Sequence, residues 1–175
     1  VPQVVYYVAT SLDGYIAPLN GSVDWLSPFE QSGDDFGYRD FLANIQGIIL
    51  GRRTYEQVLT FGPWPYVGMP AWVCTRTANR TGNGHVTMTT ADPESLLAEI
   101  DALGIQRVWM LGGGELAGVF HDLGRIDEYR ISVMPILLGR GLPLLGSATR
   151  QRNLTLVRSQ SYSAGVVQLT YHPQS

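Results

Sequence analysis

The sequence predicts an α/β domain built on a mixed sheet. Two observations predict it. Apolar runs of strand length alternate with segments of helical periodicity through most of the chain. Near the end, two strand-like runs at 154–161 and 166–171 stand across Ser163-Ala164-Gly165, the pattern of an antiparallel hairpin.

The elements follow in order. Val4-Val5-Tyr6-Tyr7-Val8-Ala9 is apolar at successive positions, as in a strand covered on both faces. A stretch rich in Gly, Asn, Pro and Asp, from Ser11 to about Asp34, reads as loop. Phe36, Tyr38, Phe41, Leu42 and Ile45 then recur at helical spacing. Ile48-Ile49-Leu50 is a strand, and Tyr55, Val58 and Leu59 mark the helix after it. Phe61-Gly62-Pro63-Trp64-Pro65-Tyr66 cannot be helix interior and reads as loop. Short strands at 71–75 and 85–89 flank a polar turn. Asp92-Pro93 starts a helix, with an N-cap and proline at the first helical position. Leu96, Leu97, Ile100 and Leu103 form its apolar face, and Gly104 stops it. Residues 107–111 are a strand, followed by a short helix from about Glu115 to Phe120. Residues 129–134 are a strand ended by Pro135. No linker, repeat or low-complexity stretch interrupts this order, so one domain over residues 1–175 is expected.

Composition narrows the function. A chain of 175 residues can bury a core, and an apolar fraction of 45% is ordinary for a globular protein. A formal net charge of −3 lays down no basic footprint, which argues against a nucleic-acid partner. No segment approaches the roughly 18 apolar residues of a membrane span, so no membrane partner is expected. The start, Val1-Pro2-Gln3, lacks the basic n-region of a signal peptide. Cys74, the single cysteine, lies in the apolar run Ala71-Trp72-Val73-Cys74; a lone buried thiol excludes a disulfide framework and suits a reducing, cytoplasmic setting. Sequons at Asn20, Asn79 and Asn153 are chance-level matches in such a setting.

Two glycine-led turns carry the chemistry. Gly51-Arg52-Arg53-Thr54-Tyr55 follows Ile48-Ile49-Leu50, and Gly112-Gly113-Gly114-Glu115 follows Val108-Trp109-Met110-Leu111. Each reads as buried strand, glycine, helix start. Glycine lets backbone approach a ligand, and helix N-termini point unpaired N–H groups outward, so two such turns at one sheet edge make a site for a phosphate-rich ligand. The second turn is not the G-x-G-x-x-G fingerprint, since the next glycine is Gly118. Three consecutive glycines are costly in chain entropy, so something should require them. Arg52 and Arg53 oppose the helix dipole, as cations do when an anion is to be met there. Arg76, just past the strand at 71–75, is a further candidate for that cluster, although taken alone it reads better as a solvated residue.

Asp13 lies in Ser11-Leu12-Asp13-Gly14-Tyr15-Ile16-Ala17, just beyond the first strand. Asp-Gly is a common turn, and a carboxylate at a strand end is also where open α/β sheets bind ligands. Glu30, Asp34 and Asp35 are further carboxylates in the loop that follows. His85, His121 and His172 are scattered without metal-ligand spacing, so no metal is assigned. No G-x-S-x-G elbow is present to support acyl chemistry.

The segments 11–17, 51–56, 111–116, Ile126-Asp127-Glu128-Tyr129 and 135–141, in this order, resemble the dihydrofolate-reductase-like superfamily. Within it, the chain is most similar to stand-alone relatives of the reductase domain of the bifunctional riboflavin-biosynthesis deaminase-reductase. The resemblance implies a three-layer αβα architecture with a mixed, mostly parallel sheet of about eight strands. It implies NADPH held between the two glycine turns. Arg52, Arg53 and Thr54 would sit at the adenosine phosphates, Thr75 and Arg76 beside the 2′-phosphate, and Gly112, Gly113, Gly114 and Glu115 over the pyrophosphate. The zinc deaminase half, with its His and paired Cys ligands, is absent.

The expected function is an NADPH-dependent reductase passing hydride to a small polar heterocycle, pyrimidine-like or pterin-like, as in the riboflavin-pathway 5-amino-6-(5-phosphoribosylamino)uracil reductase. The cofactor carries the hard chemistry and the protein orients it. Asp13 is the candidate catalytic group. Glu30 is a second, as the acid nearest after Trp25, which matches the loop tryptophan of folate reductases. Dihydrofolate reduction and cofactor binding without turnover are the alternatives. A homodimer is expected from the resemblance, with residues 129–134 as an exposed strand and Ile136-Leu137-Leu138 as an apolar patch.

Overall fold

The structure is a computed structural model that describes residues 1–77 and 84–175. The sequon at Asn79 and most of the polar turn before His85 lie outside the described residues.

Among the described residues, ten strands and five α-helices follow one another as β1 (Gln3–Ser11), β2 (Tyr15–Ala17), α1 (Ser27–Glu30), α2 (Tyr38–Ala43), β3 (Gly47–Gly51), α3 (Arg52–Thr60), β4 (Ala71–Cys74), β5 (Val86–Thr89), α4 (Pro93–Ala102), β6 (Arg107–Gly112), α5 (Gly114–Asp122), β7 (Glu128–Met134), β8 (Leu142–Pro143), β9 (Leu154–Ser161) and β10 (Val167–Pro173). Eight strands form one sheet in the order β5-β4-β3-β6-β1-β7-β10-β9. The first six are mutually parallel, while β10 runs antiparallel to both β7 and β9. The mixed, mostly parallel sheet and its C-terminal hairpin therefore match the sequence-based fold.

The middles of β1, β3 and β6, residues 4–9, 48–50 and 108–111, are apolar at successive positions because helices cover both faces. Val4, Tyr6, Ile49, Val108 and Met110 face α4 and α5, where they pack with Leu96, Leu97, Ile100, Ala117 and Phe120. Val5, Ile48, Leu50, Val73 and Trp109 point the other way, to Phe41 of α2 and Tyr55 of α3. Successive residues thus serve opposite cores, the period of two that a strand imposes.

Three expectations are corrected. Residues 129–134 lie in an interior strand, β7, hydrogen-bonded to β1 and β10 on its two sides; β5 and β9 are the sheet's edges. Cys74 is half-buried rather than buried. The stretch from Ser11 to Asp34 is not all loop. It contains β2 and α1, and β2 pairs with β8 in a separate two-stranded ribbon.

Candidate functional site

The parallel strands deliver β1, β3, β4 and β6 to one edge of the sheet, and the helices that follow β3 and β6 begin there. β3 and β6 are neighbours, with Leu50 opposite Gly112. A Cβ placed on Gly51 would stand 3.8 Å from both the Gly112 carbonyl oxygen and the Gly113 amide nitrogen. The two glycine turns are therefore side by side. The N-caps of α3 and α5 are Gly51 and Gly113, and neither helix has a side-chain cap. By contrast, α4 is capped by Asp92, whose carboxylate accepts from the Ser95 amide at 3.0 Å and the Ser95 hydroxyl at 2.7 Å. The first N–H groups of α3 and α5 are left to a ligand or to solvent.

Each glycine of the triplet is small for its own reason. Gly112 has φ +126°, a conformation that L side chains rarely adopt, and its peptide to Gly113 is cis. Gly114 lies against the Pro143 carbonyl oxygen, so a Cβ there would collide with backbone. Gly113 has φ −76°, and a Cβ on it would meet only the Thr54 hydroxyl, at 3.4 Å. Neither conformation nor tight packing against backbone requires a glycine at 113.

The other phosphate-site candidates gather around this edge. Thr54 reaches the Gly113 turn, as that distance shows. Arg52 Nε lies 3.6 Å from Glu56 one turn along α3, and Arg53 is exposed. Gly51 pairs with Cys74, so Thr75 and Arg76 leave β4 beside the start of α3. Thr75 is half-buried, with its amide donating to the Thr89 carbonyl at 2.9 Å, and Arg76 is exposed. Glu115, in the first turn of α5, accepts from the Ser147 hydroxyl at 2.9 Å. Among the described residues, no group of three or more His, Cys, Asp or Glu could hold a metal ion.

The two candidate catalytic carboxylates differ. Glu30 is exposed on the short helix α1. Asp13 is exposed too, yet both its oxygens are in use. Oδ1 accepts from the Ser11 hydroxyl at 2.6 Å and the Leu138 amide at 3.1 Å, and Oδ2 accepts from the Gly139 amide at 2.7 Å. The Ser11 hydroxyl bond, with those two amides, holds the Asp13 carboxyl below the usual carboxylate range. Trp64 lies between Tyr55 and Tyr66, tilted against the first and edge-on to the second, at ring separations of 5.4 and 5.1 Å. The indole nitrogens of Trp25 and Trp64 are buried with no hydrogen-bond partner.

The sequence reading used residues 135–141 only for the resemblance and as an apolar patch, and did not place the segment 136–147 at this edge, which it crosses after β7 to reach α5. Its signal is the helix-face spacing of Gly114 and Gly118, four apart, which opens a flat track on α5. Leu145 lies on that track, with its carbonyl oxygen 2.8 Å from the Cβ position of Gly118.

The sheet order, the hairpin and the paired glycine turns define an α/β domain of the dihydrofolate-reductase-like class. The chain belongs to the RibD C-terminal domain family, whose model matches residues 2–168. It is 37% identical over 170 residues to the uncharacterized protein YwjB of Bacillus subtilis, covering 97% of each chain. It is 31% identical over 187 residues to the uncharacterized protein YyaP of the same organism, covering 97% of this chain and 94% of that one. Among solved structures, a Shewanella sp. PV-4 protein provisionally assigned to riboflavin biosynthesis superposes with a TM-score of 0.87 at 30% identity, over 99% of both chains. The diaminohydroxyphosphoribosylaminopyrimidine deaminase/5-amino-6-(5-phosphoribosylamino)uracil reductase of Thermotoga maritima shares the fold with a TM-score of 0.77 at 17% identity. This chain covers 57% of that bifunctional protein.

Proposed function

We propose that this protein is an NADPH-dependent reductase acting on a small polar heterocycle, pyrimidine-like or pterin-like. The observation that carries the reading is the pair of adjacent, uncapped helix N-termini at Gly51 and Gly113, with Gly113 small for no internal reason. Such a pair suits a pyrophosphate, whose charge meets N–H groups and two helix dipoles together. Membership of the RibD C-terminal domain family and the uracil-reductase name of a bifunctional protein with the same fold support the substrate class.

In this reading Gly112, Gly113, Gly114 and Glu115 cover the pyrophosphate from α5, while Arg52, Arg53 and Thr54 meet the phosphates from α3. Thr75 and Arg76 flank the 2′-phosphate. Bound there, the nicotinamide supplies a hydride to an electron-poor carbon of the substrate. Asp13, kept ionised, orients groups at the substrate end rather than giving up a proton. That leaves Glu30 or a water as the proton source. A second copy of the chain is the proposed partner.

The test is a titration with NADPH and NADH on wild type and Arg76→Ala. NADPH should bind the wild type more tightly. One charge-assisted hydrogen bond contributes roughly 1.5–3 kcal/mol, so Arg76→Ala should lose about tenfold or more in NADPH affinity and little for NADH. Equal affinity of the wild type for both cofactors would sink the 2′-phosphate assignment. Cofactor binding without NADPH oxidation across pyrimidines, pterins and dihydrofolate would point to a binding module instead.

A further inference from the structure

We propose that Asp13 is a positioning residue for the cofactor site, acting through the segment 136–147 on the N-terminus of α5. The inference rests on the reductase reading for its consequence, and on geometry alone for the coupling.

The segment is fastened at both ends. At the β1 end, the Leu12 amide donates to the Ile136 carbonyl at 2.8 Å, and the Asp13 carboxylate takes the Leu138 and Gly139 amides at 3.1 and 2.7 Å. The chain then runs along β2, with Leu142 opposite Ala17 and Pro143 opposite Tyr15. Gly141 passes directly against the Ala17 carbonyl oxygen, where any side chain would collide. The Leu144 amide donates to the Gly14 carbonyl at 3.1 Å, and the Tyr6 hydroxyl donates to the Leu144 carbonyl at 2.6 Å.

At the other end the segment abuts α5. The Pro143 carbonyl oxygen lies directly against Gly114, and Gly146 has its Cβ position 2.8 Å from the Glu115 amide nitrogen. The Ser147 hydroxyl donates to the Glu115 carboxylate at 2.9 Å. At Gly114 and Gly146 the two backbones pack with no side chain between them, so a displacement at Gly139 is either absorbed before Gly114 or passed to it. Asp13 holds two consecutive amides in a glycine-bearing turn, and removing its carboxylate hands both to water and unfastens the turn from the end of β1.

The experiment compares Asp13→Ala, Asp13→Asn and Ser147→Ala with wild type. Two readouts are taken: amide hydrogen exchange without cofactor, and the affinity for NADPH. Asp13→Ala should speed exchange at Leu138 and Gly139, and also at residues 144–147 and the first turn of α5. It should weaken NADPH by about fivefold to tenfold. Asp13→Asn keeps one acceptor oxygen and should fall between. Ser147→Ala should weaken NADPH too, and the double variant should lose less than the product of the singles, because both act on one path. Faster exchange confined to residues 136–140, with NADPH affinity unchanged, would reduce Asp13 to a local turn residue and overturn the proposal. Coupled exchange in a wild type that binds no NADPH would sink the reductase reading and leave the path from Asp13 to α5 standing.

Discussion

Gly113 and Gly114 are neighbours that lack side chains for opposite reasons. At Gly114 the obstacle is inside the protein, the Pro143 carbonyl, with the Leu144 carbonyl and Gly146 amide each 3.3 Å from the Cβ position. Gly114→Ala must therefore shift backbone, an overpacking cost of about 1–3 kcal/mol. At Gly113 a Cβ would meet only a hydroxyl, at 3.4 Å, so no backbone stands against it there. Gly113→Val should keep the denaturation midpoint near wild type and abolish NADPH binding, whereas Gly114→Ala should lower the midpoint. A Gly113→Val protein that still binds NADPH would make the triplet purely structural. Cys74 is a residue of a different kind. Burial pushes its thiol up to about 11. At pH 7.5 its thiolate is scarce, and alkylation should run far slower than for an unburied thiol with a pKa of about 8.5. Equally fast labelling in the folded protein would contradict that environment.

Carboxylates tie elements together across this fold. Asp13 joins the end of β1 to residues 138–139, and Asp122 ends α5 by accepting from the Thr149 and Arg150 amides at 3.0 and 2.9 Å. Asp92 caps α4, and Asp35 takes the Gly37 and Arg39 amides at 2.9 and 3.2 Å ahead of α2. Hydrogen bonds to the charged form lower all four relative to an ordinary aspartate, although in Asp13 the largest contribution is the Ser11 hydroxyl. A lowered folded-state value stabilises the fold above the unfolded value of about 3.9 and loses that contribution as pH falls through the folded value. Stability should thus be level from about pH 8 to pH 5 and decline below about pH 4. Asp122→Asn should be less stable at pH 7 and decline less steeply in acid; an identical acid limb would remove Asp122 from the account. The elements themselves were unevenly legible. The strands β1, β3, β4 and β6 show in the sequence because the middle of each is covered on two faces and so apolar at successive positions, and α4 shows through Asp92-Pro93 and Gly104. The ribbon of β2 and β8 does not. Its partners, Tyr15 and Pro143, are brought together only by the rest of the fold, and two or three residues hold no period. The glycine turns at 51 and 112 were legible for the same reason as the strands before them. Asp13 was legible as a residue of interest, but its partners at 138 and 139 lie far along the chain and leave no local mark.

The whole molecule leaves one long sheet edge uncovered. β9 is eight residues long and, among the described residues, pairs only with β10; Leu154, Leu156 and Val157 on it are 36%, 51% and 54% exposed. It carries no proline, and Arg158 is the one charged residue along it. On the α5 face, beside β9, a groove of about 370 Å³ is lined chiefly by apolar side chains, among them Ile131, Val133, Leu144, Leu154 and Leu169. An unpaired strand edge whose first half exposes Leu154, Leu156 and Val157 beside an apolar groove is the kind of surface that a self-complementary partner covers. The homodimer first expected through residues 129–134 is therefore expected through β9 instead. A stable contact of this kind buries roughly 800 Å² per protomer, more than one exposed strand supplies, so the groove face has to take part. Leu156 is opposite Tyr171, which also lines the groove, and this places it on the groove side of the strand. Light scattering at micromolar concentration should give twice the chain mass for wild type. Leu156→Arg should shift it to the monomer mass while circular dichroism stays unchanged, since a half-exposed side chain on an edge strand contributes little to the core. A monomeric wild type would leave β9 a solvent-facing edge, and a dimeric Leu156→Arg protein would move the interface to another face.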